Sequence, residues 1–288
     1  MASIVDIKRR KESIESTGQI TKAMKLVSTV KLQRAKQKAE ESKAYFNKMY
    51  ETVTSILATS EKINHPYLKG NDSEKKAVIT VSSNRGLAGG YNNNIVKLIR
   101  DSGLKKDEVQ IYGVGHKAMD TLSHRGYEVV SDDSEMMNEP EYKDAMNLGR
   151  RILAAYEAGE IGEIYLAYTE FKNTVVHIPK LIKLLPVDVD ELDTVQKEVD
   201  DKTLMNFEPK AEEALSMLIP KYINSMIYGA FVTSVASENG ARMQAMDSAT
   251  SNAEEMIDNL ELAYNRARQG AITQELTEII SGANALNE

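Results

Sequence analysis

The stretch LQRAKQKAEESKAYFNKMYETVTSI, Leu32 to Ile56, decides the fold. Its apolar and small residues fall at Leu32, Ala35, Ala39, Ser42, Phe46, Met49, Val53 and Ile56, in alternating steps of three and four. That spacing keeps one seam turned toward a partner helix, because it follows the 3.5-residue period of a coiled coil. The small members let the partner come close. No proline interrupts the chain from Ser3 to Thr59, and Gly18 is its only glycine, so the segment reads as one helix. Toward its N-terminus a looser stripe of Ile4, Ile7 and Ile14 leads into Ile20, Ala23, Met24 and Val27.

A second such pattern lies at the other end of the chain. From about Pro209 to Leu286 the period is again helical, with Pro220 as the only internal proline. Its seam is Met246, Ala249, Ala253, Met256, Leu260, Ala263 and Ala267. At 1.5 Å per residue the two helices are roughly 80 and 110 Å long, too long to be buried in a compact domain. Two seamed helices at opposite ends of one chain pair most simply as an antiparallel coiled coil. Near its end the second helix runs NRARQGAITQEL, Asn265 to Leu276, with Gly270 mid-helix and few large apolar residues.

Between the helices the period changes. Ala77–Ser83, Val109–Gly115, Tyr127–Asp133 and Glu163–Phe171 read as strands, and Asn92–Asp101, Lys117–Arg125 and Tyr142–Ala158 as helices between them. Alternation of this kind predicts a parallel sheet with crossover helices. The run TVVHIPKLIKLLPV, ending at Pro186 and Val187, adds a further strand or two, and the acidic DVDELDTVQKEVDDK after it reads as a surface loop. The expected architecture is α/β: a coiled-coil helix over 1–60, a Rossmann-like parallel-sheet domain over 75–200, and a second coiled-coil helix over 209–288.

Composition narrows the function. The chain has 288 residues, no Cys, no Trp and a net charge of −7. Disulfide scaffolds, thiolate catalysis and Cys-ligated zinc are excluded. Residues 1–40 are nevertheless near +6 and the remainder near −13, so the N-terminal arm calls for an acidic partner. No apolar run approaches the roughly 20 residues that span a bilayer, and no signal-peptide core is visible. The expectation is a soluble intracellular protein that meets a membrane only through a partner.

Chemical motifs are few. GVGHKA, Gly113–Ala118, follows a strand and opens a helix, with Asp132 and Asp133 ending the next strand. Those are the parts of a dinucleotide fingerprint, and they keep an oxidoreductase open as an alternative. A tight strand-to-helix turn explains the same glycines, and nothing else in the chain offers a hydride-transfer site. The loop SNRGLAGGYNNN, Ser83–Asn94, is glycine-rich but lacks the Lys-Ser/Thr ending of a phosphate loop. His65, His116, His124 and His177 show no ligand spacing and suit core or solvent roles. A basic stripe of Lys22, Lys25, Lys31, Arg34 and Lys38 runs along the first helix, either as a solvated face or as a contact with acidic loops. A self-associating coiled-coil scaffold is a further alternative.

Four segments together resemble the gamma subunit of F-type ATP synthases: QITKAMKLVS (Gln19–Ser28), SNRGLAGGYN (Ser83–Asn92), FEPKAEEAL (Phe207–Leu215), and SENGARMQAMDSATSNAEEMI with NRARQGAITQELTEIISGANAL (Ser237–Leu286). The resemblance runs the whole length and implies a rotor shaft without catalysis or cofactor of its own. By resemblance, the coiled coil enters a hexamer of three alpha and three beta subunits, and the α/β domain meets the epsilon subunit and the c ring. Arg268 and Gln269 are similar to the pair that meets the beta catch loop. Met24 and Lys25 stand where the shaft approaches an acidic beta lever, which would give the basic stripe its partner. Arg242, Thr273, Gln274 and Glu275 match positions implicated in coupling rotation to catalysis, and Phe207 and Glu208 resemble part of the foot facing epsilon and the c ring. Ala88 departs from the Cys of many relatives, and the cysteine-bearing insert of chloroplast relatives is missing, so thiol regulation is not expected. The resemblance implies a peripheral position on the cytoplasmic face of a bacterial membrane.

Overall fold

The computed structural model describes residues 3–59, 65–187 and 211–286. In chain order these form α1 (Ile4–Thr59), α2 (Pro66–Lys69), β1 (Lys76–Val81), α3 (Tyr91–Asp101), β2 (Val109–Val114), α4 (His116–His124), β3 (Glu128–Asp132), α5 (Tyr142–Glu157), β4 (Glu163–Phe171), β5 (His177–Leu185) and α6 (Ala211–Leu286). Both long helices are single elements, of 56 and 76 residues. The expected acidic loop after Val187, and Phe207 and Glu208, lie outside the described residues. By internal contacts the chain forms two compact units, one of Thr29–Arg242 and one of Met1–Ser28 with Met243–Glu288.

The larger unit is built on a five-stranded sheet in the order β3-β2-β1-β4-β5. β1 pairs in parallel with β2 and with β4, and β2 in parallel with β3. Strand β1 explains why the sheet is covered on both faces. Its alternate residues Ala77, Ile79 and Val81 join a core with α5 residues such as Leu148 and Ile152 and with α6 residues such as Ile223, Ile227 and Phe231. Val78, facing the other way, packs with Ile95, Val96 and Ile99 of α3 and with Ala118 and Leu122 of α4. A strand buried on both faces loses the polar alternation of a half-exposed strand, which is why KAVITV reads as a short apolar run.

The four expected strands form the parallel part of the sheet, and the last strand, whose direction the sequence left open, departs from it. TVVHIPKLIKLLPV supplies one strand, β5, and it runs antiparallel to β4 at the edge. Residues 172–176 leave no room for the dozen or more residues that a parallel crossover needs. The Asn173 side chain accepts from the Val175 and Val176 amides instead, and closes a hairpin.

The smaller unit holds an antiparallel helix pair. Lys11 meets Glu261, Gly18 faces Ala253, Thr21 bonds Thr250 at 2.8 Å and Lys25 bonds Asp247, so each step up α1 is a step down α6. The seam is the expected one only in part: Ile4, Ile7, Ile14 and Met24 on α1 and Ala249, Leu260 and Ala267 on α6 are half-buried. Ile20 and Val27 are 58% and 57% exposed, whereas Thr21 and Ser28 are buried. On α6, Met246 and Ala253 are buried as expected, but Met256 and Ala263 are exposed and the seam passes through Ile257 and Tyr264. The cause is closeness: a Cβ placed on Gly18 would stand 3.4 Å from the Ala253 Cβ, so the interface selects small and hydroxyl residues rather than large apolar ones. Between Gly18 and Ser28, apolarity therefore marks the wrong face.

Candidate functional site

The dinucleotide reading is the first to be tested by geometry. Gly115 sits at φ 109°, and a Cβ on it would lie 2.0 Å from the Ser82 carbonyl oxygen. Ser82 Oγ donates to the Gly115 carbonyl and accepts from the Ala118 amide, which ties the end of β1 to the start of α4. A Cβ on Gly113 would meet Met119 Sδ at 2.5 Å, so helix packing already fills the space over that residue. The acids are spent as well. Asp132 accepts from both the amide and the hydroxyl of Ser134, which holds its carboxyl below the usual range, and Asp133 pairs with Arg151 at 2.6 Å. The glycines serve the turn and its packing and the acids have local partners, so the oxidoreductase alternative is not supported.

The histidines have local roles. His65 Nδ1 accepts from the Tyr67 amide as the cap of α2, and His124 Nδ1 lies 2.6 Å from the Asp120 carbonyl. His116 stands 3.6 Å from Asp132. His177 is half-buried beside Phe171 and Gly240, with its Nε2 buried and unpartnered, and burial holds its pKa below 6.5. The sign follows directly. The unfolded chain takes up this proton at a higher pH than the folded one, so stability is lost as pH falls through about 6.5. Thermal melts at pH 7 and pH 5 are expected to show a smaller drop for His177→Leu than for the parent chain; equal drops would assign the pH dependence elsewhere.

The residues singled out for coupling separate into three groups. Met24 is half-buried and Lys25 bonds Asp247, so this lysine is engaged within the helix pair rather than directed only outward. Further along the basic stripe, Lys31 and Lys38 lie close enough to act electrostatically on Glu238 and Glu141. Part of the acidic partner that the N-terminal arm calls for is therefore this chain itself.

Arg268, Gln269, Thr273, Gln274 and Glu275 share two turns of α6, about 32 Å along the helix from Asp247 to Arg268. All five are exposed. Thr273 Oγ1 donates to the Gln269 carbonyl and Gln274 to Glu278, both within the helix. Gly270 meets nothing within 4 Å, so no close approach inside the chain requires it. The few large apolar residues of Asn265–Leu276, Ile272 and Leu276, are followed by Ile279 and Ile280, and all four are 49–61% exposed. Their spacing lines them along one side of the helix.

Arg242 belongs to the third group and is nearly buried at 9% exposure. Its guanidinium donates to the carbonyls of Arg85 and Gly86 at 3.2 Å, in the glycine-rich loop after β1, and bonds Glu238 at 2.7 Å. Burial raises the Glu238 carboxyl, while Arg242, Lys31 and Arg85 pull it down. Removing one partner of such a pair costs about 3–5 kcal/mol. Glu238 escaped the sequence reading, although its i,i+4 spacing to Arg242 was there to see. Asp247 and Glu261 escaped it because their partners lie more than two hundred positions away. Among the described residues no cluster suits a metal ion, and no helix is long and apolar enough to cross a membrane.

Comparison with known proteins gives one answer. A family model described as ATP synthase matches residues 3–286. A chain named ATP synthase gamma chain from Lachnoclostridium phytofermentans is 63% identical over 291 residues, covering 100% of both chains. A sodium-ion-specific ATP synthase gamma chain from Acetobacterium woodii is 38% identical, covering 99% of each. Among solved structures, a chain of the Euglena gracilis mitochondrial ATP synthase matches with a TM-score of 0.65 at 18% identity, over 98% of this chain and 94% of that one. A chain from the central stalk and c-ring structure of the Tetrahymena thermophila mitochondrial ATP synthase matches with a TM-score of 0.57 at 23% identity, over 80% and 99%.

Proposed function

Since the chain belongs to the family of ATP synthase gamma chains, we propose that its two long helices form the central shaft of a rotary ATP synthase. The subunit is non-catalytic. ATP is made or hydrolysed in the beta subunits, and this chain carries rotation of the ion-driven c ring to them. A rod that presents different faces to three identical neighbours biases their equilibria unequally, and turning it moves each through the same sequence of states.

The observation that carries this reading is the antiparallel helix pair with apolar residues on its outer faces. Ile20, Leu26 and Val27 on α1 and Ile272, Leu276, Ile279 and Ile280 on α6 are exposed, and they point to a surrounding surface of alpha and beta subunits. Arg268 and Gln269 are proposed to meet the beta catch loop, with Thr273, Gln274 and Glu275 beside them. Met24 is proposed to approach the beta lever, and Lys25 to share its charge between that lever and Asp247. Phe207 and Glu208 are assigned by resemblance to the foot that faces epsilon and the c ring. The chain is peripheral, and its place is proposed to be the cytoplasmic face of a bacterial membrane, reached through the ring.

The decisive test is the native mass of the tagged chain purified from its own cells, with ATPase assayed on the same fraction. One copy per alpha-beta hexamer with ATPase present is expected; a lone homodimer without ATPase would remove the shaft reading. The paired substitution Arg268→Ala and Gln269→Ala is expected to leave the folded chain intact and to lower ion-driven ATP synthesis several-fold, because both side chains are exposed. Unchanged synthesis would count against the catch role.

A further inference from the structure

In a sheet wound both ways from β1, ligands bind in the crevice outside the carboxyl ends of the strands that flank the reversal. Here those strands are β1 and β4, and α6 fills the place. Thr169 of β4 lies beyond Ala167, the last residue that β1 pairs, so its backbone groups on that edge have no strand partner. Its amide donates to Ser234 Oγ at 3.3 Å and its carbonyl accepts from Ser237 Oγ at 3.1 Å. Ser234 and Ser237 are both fully buried, and the Tyr91 hydroxyl donates to the Ser234 carbonyl. Backbone groups left over at the end of the sheet are thus satisfied by one face of α6.

Arg242 continues that face. A glycine-rich loop that binds phosphate turns N–H groups toward the anion. This loop does the reverse, and turns the carbonyls of Arg85 and Gly86 toward a cation that the chain itself supplies. The base of the loop is held separately. The Ser83 amide donates to Asn92, the Asn84 side chain donates to the Ser134 carbonyl, and Asn84 Oδ1 accepts from the His116 amide. The tip is held at fewer points: Ala88 is buried and Ser83 Oγ also donates to the Arg85 carbonyl at 2.6 Å, but Leu87 is 63% exposed at φ 62°, and a Cβ on Gly86 or Gly89 would meet nothing within 4 Å.

We propose that Glu238 and Arg242 are positioning residues that form an internal latch: α6 occupies the sheet's ligand crevice, grips the glycine-rich loop by its carbonyls, and makes the loop tip move with the shaft. The proposal rests on the shaft reading and replaces a direct partner contact for Arg242 by an action through residues 84–90. The planar fork of arginine reaches both carbonyls and the carboxylate at once, which the point charge of lysine does not.

The test uses the assembled complex carrying Arg242→Lys or Glu238→Gln. Two quantities are read: hydrogen exchange of amides 84–90, and ions pumped per ATP hydrolysed. Loss of charge-assisted bonds at a loop tip is expected to speed exchange there roughly tenfold, with the strand amides unchanged. Pumping per ATP is expected to fall in parallel, and Glu238→Gln to move both readings the same way by less. A fall in pumping with unchanged loop exchange would place Arg242 in direct contact with another subunit and overturn the latch, leaving the shaft intact. Faster loop exchange with unchanged pumping would also overturn it, since the grip would then serve no coupling. Should Arg242→Lys fail to assemble, Glu238→Gln decides by the same readings. Failure of the unaltered chain to occur once per hexamer would instead remove the shaft reading itself.

Discussion

Gly115→Ala is expected to destabilise the α/β unit by about 3–5 kcal/mol, enough to leave most small domains marginal. Two effects add. At φ 109° a residue with a Cβ is strained whatever surrounds it. The new methyl carbon would also stand 2.0 Å from the Ser82 carbonyl oxygen, a backbone atom held by β1 and unable to swing aside. The turn could relax only by parting β1 from the start of α4, which would break the Ser82 bonds to Gly115 and Ala118. Urea unfolding of the purified chain, followed by far-UV circular dichroism, measures the effect. A loss under about 1 kcal/mol would mean that the turn is looser than described. Gly270→Ala is the natural control, since no neighbour lies within 4 Å and the helix gains about 1 kcal/mol by the change.

Phe231→Ala is the second large effect, about 3–5 kcal/mol by the usual cost of removing a buried aromatic ring. Phe231 is fully buried in the cluster that unites α6 with β1 and α5, and among the described residues it is the largest side chain so enclosed. Its loss would open a cavity between helix and sheet rather than at a surface. Phe231→Leu keeps most of the volume and is expected to cost less than about 1.5 kcal/mol. The two variants, melted side by side, separate packing from simple hydrophobicity. Equal and small losses in both would show that α6 is held to the sheet mainly by its polar contacts.

The order of elements was legible because each carries its own period. β1, β2 and β4 stand out as short apolar runs between helical stretches, whereas β3 has no fully buried residue and shows less clearly; Glu163–Phe171 is read with its observed bounds. The direction of β5 was not legible, because it depends on a hairpin closed by one asparagine side chain. The seam around Thr21 and Ser28 was misread for a physical reason. Large apolar residues stand beside it at Ile20 and Val27, while the close approach is made by Gly18, Thr21 and Ala253. The fingerprint at Gly113–Ala118 misleads similarly, since its spacing says nothing of Met119, which packs against Gly113, or of the Ser82 carbonyl, which lies against Gly115. Arg242 was legible as a residue of interest but its partners were not. Backbone carbonyls leave no mark in a sequence beyond the glycines that let another group come near.

The smaller unit buries little, and that has a mechanical meaning. Among its described residues only Thr21, Ser28, Met246 and Ala253 are buried, and its ion pairs of Lys11 with Glu261 and Lys25 with Asp247 are open to solvent on at least one side. Such pairs are weak and screened by salt, and helices draw most of their persistence from the apolar surface they cover. Left alone, this pair should fray and bend on its own schedule while the sheet stays folded. Its rigidity is then a property it acquires from whatever encloses it: compliant when bare, stiff when sleeved, and able to yield wherever the sleeve opens.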